Sequence, residues 1–166
     1  MKDTQQYRVV AWLSPEQTGL TISSSAPHAI HFTAPPEFDG LEGKWTPEDL
    51  LLSAVASCYT TTFHAVAEHS GLEYADLEVD VEGSVHKTDS GYAFNEIVIR
   101  PNLTISSDQD QTRALRLLQK AKTMCLVARA LAVEQKFQPH VHVGESRVEY
   151  SQNRKLISHQ GYGLGT

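Results

Sequence analysis

The sequence predicts an α+β fold of antiparallel sheets packed around two central helices. Short β-branched, alternating segments broken by Gly and Pro fill the first forty residues, and helical periodicity appears in two blocks, after Thr46 and after Ser107. Strands segregate from helices along the chain, which favours hairpins and meanders over a doubly wound parallel sheet.

The elements follow in order. Tyr7 to Leu13, Thr18 to Ser24 and His28 to Thr33 read as strands, and Ala34 to Lys44, with two Pro and two Gly, as a loop. Thr46 is a good N-cap, Pro47 suits the first helical position, and Asp49 completes a capping-box-like pattern. Leu51, Val55, Cys58, Thr62 and Val66 then define one helical face, and Gly71 is placed to end the helix in a left-handed C-cap. Leu77 to His86 alternates as a half-buried strand with Leu77, Val79, Val81 and Val85 on one face. Thr88 to Gly91 is its hairpin turn, and Tyr92 to Ile105 returns with an interruption near Pro101. Ser107 or Asp108 caps a second helix carrying Ala114, Leu117, Leu118, Ala121 and Cys125, and Pro139 to Val143 reads as a short last strand.

With 166 residues, 40% apolar and 20% charged, the chain suffices for one core, expected over residues 1–150. Residues 151–166 hold three Gly and little apolar content, and are expected to be a mobile C-terminal extension. A net charge of -6 without a cationic cluster argues against nucleic acid as a partner. No run of eighteen consecutive apolar residues and no signal-peptide pattern occur, so no membrane association and a cytoplasmic location are expected.

Two cysteines in a reducing compartment read more readily as reactive thiols than as a structural staple. Taken alone, each reads first as a small buried hydrophobe, because free Cys is among the most buried residue types. Arg129, four residues after Cys125, shares its helical face if the helix is regular, and could hold a thiolate. His140 and His142 share one face of a strand, and His28 and His31 flank a short one, but no carboxylate or thiol cluster joins them, so no metal site is expected. Phosphate-loop and dinucleotide fingerprints are absent from the sequence.

Thr46 to Cys58 (TPEDLLLSAVASC) resembles the N-P-E-x-L-x-x-A-x-x-A-C signature of the OsmC/Ohr family, the osmotically inducible and organic hydroperoxide resistance proteins. Met124 to Leu131 (MCLVARAL) resembles that family's second motif, C-P-x-S-x-x-L, with Leu126 at the proline position. The resemblance runs from about Gly40 to Val143. It implies an OsmC-like fold, an intertwined homodimer, and a thiol peroxidase for organic hydroperoxides that needs no metal or prosthetic group. It makes Cys58 the peroxidatic thiol, Cys125 the resolving thiol and Glu48 the motif carboxylate, with an external dithiol, of lipoyl type, as reductant.

Sulfenic acid formation and condensation with a nearby second thiol suit this pair of residues. A sulfur in mid-helix gains little from the helix dipole, so a cation is expected to lower its pKa. The family places an active-site arginine upstream of its first motif, yet this sequence has no Arg between Arg8 and Arg100, which leaves Arg8, Lys44 and Arg129 as substitutes. Glu48 and Cys58 lie ten residues apart on one helix, about 15 Å, so a shared site is expected to use a second chain. Two other readings stay open: a binding protein for a small apolar or electrophilic ligand, and a purely structural use of both cysteines.

Overall fold

The computed structural model describes residues 4–16 and 18–145, so the expected 151–166 extension lies outside the described residues. Three strands, β1 (Val9–Leu13), β2 (Gly19–Ser23) and β3 (Ile30–Phe32), form an antiparallel meander. A loop containing a 3₁₀ turn (Pro36–Phe38) leads to helix α1 (Pro47–Ser70). Strands β4 (Asp76–Thr88) and β5 (Gly91–Ile105) form a long hairpin, followed by α2 (Gln111–Met124), α3 (Leu126–Ala130), β6 (Glu134–Phe137) and β7 (His140–Val143).

The ends of α1 follow from local chemistry. The Thr46 hydroxyl accepts the Asp49 N–H at 3.1 Å, and the Asp49 carboxylate accepts the Thr46 N–H at 2.9 Å, so both orphan donors are satisfied. Gly71 takes φ 62°, which a side chain would resist, and its N–H closes onto Ala67 and Glu68. The buried face is turned slightly from the expected one: Val55, Tyr59, Phe63, Val66 and Ala67 enter the core, which leaves Cys58 and Thr62 half-buried at its margin. Tyr59 can be buried because its hydroxyl donates to the Leu118 carbonyl at 3.0 Å, and burial pushes its phenol well above its ordinary pKa.

The second sheet corrects the expectation of purely antiparallel pairing. β4 and β5 are antiparallel, but β6 and β7 both pair with β5 in parallel. Both keep one register, Glu96 with Glu134 and Asn102 with His140, so they form a single edge strand with a gap. β5 itself continues through Pro101, contrary to the expected interruption. Ile99 and Ile105 offer their carbonyls to Gln138 and Gly144 on the edge strand, so by alternation Pro101 faces the same side, where it has no N–H to give. The gap falls there, with Pro139 on the other side. The hairpin's own irregularity is a register shift at Ser84/Val85, where β5 carries the extra residue Asn95; Val85, beyond it and paired with Phe94, is exposed. Gly83 lies where an added Cβ would stand 2.6 Å from Phe94 and 2.9 Å from Leu52, so α1 approaches the sheet closely there.

The core is Ile97, Ile99, Leu103 and Ile105 of β5 against the inner faces of α1 and α2, the latter contributing Ala114, Leu117, Leu118 and Ala121. α1 is long and apolar enough to cross a membrane by length and composition, yet only 28% of its most apolar window is buried within the chain. On the N-terminal meander, Val9, Trp12 and Leu13 are 69%, 52% and 64% exposed.

Loss of the capping box should be measurable. Thr46→Ala removes the acceptor for the Asp49 N–H, and urea unfolding should show a loss of about 1 kcal/mol, with Thr46→Ser largely restoring it.

Candidate functional site

Cys58 and Cys125 are brought together by the two helical segments that carry them. α1 fixes Cys58 between the buried Val55 and Tyr59, at the core's edge. Cys125 is fully buried at the point where α2 stops. The second helix does not run on regularly: Cys125 has φ −60° and ψ 110°, ending α2 and starting α3. A new helix start leaves its first N–H groups without intrahelical acceptors. Here the Val127 N–H donates to the Cys58 Sγ at 3.5 Å, and the Leu126 N–H and the Cys125 thiol lie close enough to act on the acidity of that sulfur.

These contacts set the acidity of the pair. Partial burial acts to raise the Cys58 thiol, but the Val127 N–H, the Cys125 thiol, the Leu126 N–H and the Thr62 hydroxyl outweigh it and hold Cys58 below its ordinary pKa. Burial pushes Cys125 the other way, and the charge of a Cys58 thiolate raises it further. The two sulfurs are thus set apart, Cys58 below and Cys125 above the ordinary thiol range.

The expected cation is not what lowers Cys58. The named donors are neutral, and Arg8, Lys44 and Arg129 are all exposed. Arg129 lies on α3, not on a continuation of α2: the break falls at Cys125 itself, the Arg129 N–H makes the first helical bond of α3 to the Cys125 carbonyl at 3.1 Å, and its side chain is exposed. Leu126 is informative at the motif's proline position. The ψ of Cys125 is the extended one a residue takes before proline, and Leu126 is the first residue of α3, where proline fits. The backbone therefore has the shape a Cys-Pro pair would give it, while Leu126 adds an N–H that proline lacks.

Glu48 is not brought to Cys58. Both lie on the unbroken α1, about 15 Å apart by rise alone. Its Oε2 is buried and has no hydrogen-bond partner among the described residues. An open groove of about 440 Å³ lies along α1, lined by Thr61, Thr62, Ala65, Val66, His69 and Met124. Thr62, on its wall, donates its hydroxyl to the Cys58 carbonyl at 2.7 Å, so the groove adjoins the turn of α1 that carries the thiol. No group of three or more His, Cys, Asp or Glu able to hold a metal ion occurs among the described residues. Val127 leaves no signal in the sequence, since its contribution is a backbone amide exposed by a bend.

Residues 40–139 match the family model described as OsmC-like protein. The uncharacterized protein YmaD of Bacillus subtilis is 35% identical over 115 residues, covering 66% of this chain and 77% of its own. Among solved structures, an OsmC-like protein from Vibrio cholerae superposes with a TM-score of 0.73 at 16% identity, covering 82% of this chain and 99% of that one. An organic hydroperoxide resistance protein from Elizabethkingia anophelis superposes with a TM-score of 0.68 at 15% identity, covering 87% and 100%.

The donor arrangement predicts a particular pH profile for alkylation of Cys58 by iodoacetamide. The rate rises as the thiolate forms, so its midpoint should lie below the ordinary thiol value of about 8.5. Leu126→Pro, which the backbone accepts but which removes one N–H, should move that midpoint upward. Arg129→Gln, at an exposed site, should leave it within a few tenths of a unit.

Proposed function

This chain belongs to the OsmC-like family, and on that premise we propose that it is a thiol peroxidase for organic hydroperoxides, with Cys58 as peroxidatic and Cys125 as resolving cysteine. The observation that carries this reading is the meeting of the two cysteines at the α2–α3 junction, where the Val127 N–H donates to the Cys58 sulfur at 3.5 Å and the neighbouring Cys125 thiol and Leu126 N–H act with it to lower Cys58.

In the first step the Cys58 thiolate attacks the terminal oxygen of the hydroperoxide, the O–O bond breaks, and the alcohol leaves with a proton. Cys58 is oxidised to the sulfenic acid. Cys125 then attacks that sulfur, the S–O bond breaks, and water leaves as the disulfide forms. Loss of the Cys58 negative charge removes one of the influences that keep Cys125 protonated, so the resolving thiol becomes easier to ionise once it is needed. An external dithiol returns two electrons by exchange through a mixed disulfide. Ala65, Val66 and Met124 give the adjoining groove an apolar wall, which suits an organic substituent on the peroxide.

The working unit in this proposal is a homodimer. An apolar α1 with little of its surface covered, a meander with exposed Val9, Trp12 and Leu13, and a buried Glu48 oxygen without a donor all fit a second copy completing the fold. Glu48 then serves the other chain's site, since it cannot reach its own thiol.

One equivalent of cumene hydroperoxide should remove both titratable thiols. Cys58→Ser should abolish peroxide consumption, whereas Cys125→Ser should let Cys58 proceed to sulfinic acid under excess peroxide, read by intact mass. Catalytic turnover by Cys58→Ser would overturn the assignment, and no thiol loss in the parent protein would favour a binding role. Sedimentation equilibrium at low micromolar concentration should give about twice the chain mass of 18.4 kDa; a folded, active monomer would remove the shared site.

A further inference from the structure

Around β6, the side chains that alternate towards the helices are Val133, Gln135 and Phe137. Val133 and Phe137 pack against the core, and half-buried Gln135 stands between them. An amide at such a position costs stability unless its polar atoms are matched, and packing alone would be served by an aliphatic residue. Gln135 is matched on two sides. Its Oε1 accepts from the Lys122 Nζ of α2 at 2.5 Å, and its Nε2 donates to the Ala128 carbonyl at 2.7 Å and the Leu131 carbonyl at 3.4 Å. One side chain therefore ties the end of α2, the body of α3 and the edge strand together.

α3 needs such a tie. Five residues are too few for a helix to hold itself, since one turn gains hardly any hydrogen bonds for the dihedrals it fixes. Ala128, whose carbonyl Gln135 holds, is the next residue after Val127, whose N–H meets the Cys58 sulfur at 3.5 Å. At that length a small rotation of the turn separates donor from acceptor. Building on the thiol chemistry proposed above, we infer that Gln135, braced by Lys122, is a positioning residue that keeps the first turn of α3 aimed at the Cys58 sulfur without itself touching substrate. It acts through the Val127 and Leu126 amides. The sequence hint is a polar residue interrupting the alternation Val133, Gln135, Phe137.

The test uses full-length Gln135→Met, which keeps the length of the side chain and suits an apolar surrounding, and Gln135→Glu, which keeps an acceptor for Lys122 but has no N–H for Ala128. The readouts are the pH midpoint of Cys58 alkylation, located by peptide mass, and thermal unfolding of the same samples. Both variants should raise the midpoint by about one unit, and their second-order reaction with cumene hydroperoxide at neutral pH should slow by up to about tenfold. Lys122→Met, which leaves the grip on Ala128, should shift the midpoint in the same direction by less. If Gln135→Met does not fold, Gln135→Glu decides. A lowered melting temperature with an unchanged midpoint would overturn the positioning role. A midpoint that rises in the variants while no form of the protein consumes peroxide would support the positioning role and refute the peroxidase reading, so the two can fail separately.

Discussion

The site depends on the chain turning at Cys125. A helix running on from α2 would have consumed the Leu126 and Val127 N–H groups in its own ladder. Because Cys125 takes an extended ψ and α3 starts afresh, those donors are free, and the nearest acceptor is a sulfur held in place by another helix. That sulfur is in turn located by packing. Val55, Tyr59 and Phe63 bury one face of α1 against β5 and α2, and Cys58, just off that face, is left half-buried. The core thus determines where the thiol lies, and the turn determines what it meets.

The two cysteines differ because the same influences combine differently at each. A hydrogen bond to a charged group is worth about 1.5–3 kcal/mol, and a shift of one pKa unit corresponds to 1.36 kcal/mol, so several donors suffice to overcome the cost of partial burial at Cys58. At Cys125 burial is complete, and the thiol that donates to Cys58 would have to lose its proton beside another negative sulfur. Both terms then act in the same direction. The asymmetry needs no cationic side chain at the pair, which is how a sequence lacking an arginine between Arg8 and Arg100 still builds an acidic thiol.

The uncovered surface has a structural origin as well. α1 is apolar around much of its circumference, but the second sheet with α2 and the short α3 can cover only part of it, and the N-terminal meander pairs with itself rather than closing over the remainder. Apolar residues are consequently left outward on both the helix and the meander. A buried carboxylate oxygen at Glu48 without a donor belongs to the same account, since buried acceptors are ordinarily matched.

Much of this was legible in the sequence because it is set by neighbours along the chain. Thr46, Pro47, Asp49 and Gly71 mark the ends of α1 through local hydrogen bonds and one left-handed residue, and the Thr88–Gly91 turn and the α2 face from Ala114 to Cys125 follow from periods of two and 3.6. The two motifs likewise singled out both cysteines. Other features depend on partners far away in the chain. The parallel docking of β6 and β7 on β5, and the gap at Pro101, arise when a distant segment meets an edge whose donor is missing. The roles of Val127 and Gln135 belong to the tertiary structure for the same reason: a backbone amide has no residue identity to read, and a glutamine inside a strand acquires meaning only when Lys122 and Ala128 are folded against it. The sequence alone determined where α1 and α2 begin and which thiols could react; the fold decided that the second helix breaks at Cys125 and which thiol is the more acidic, because both depend on burial and on groups 67 to 69 residues away, from Cys58 to Cys125, Leu126 and Val127.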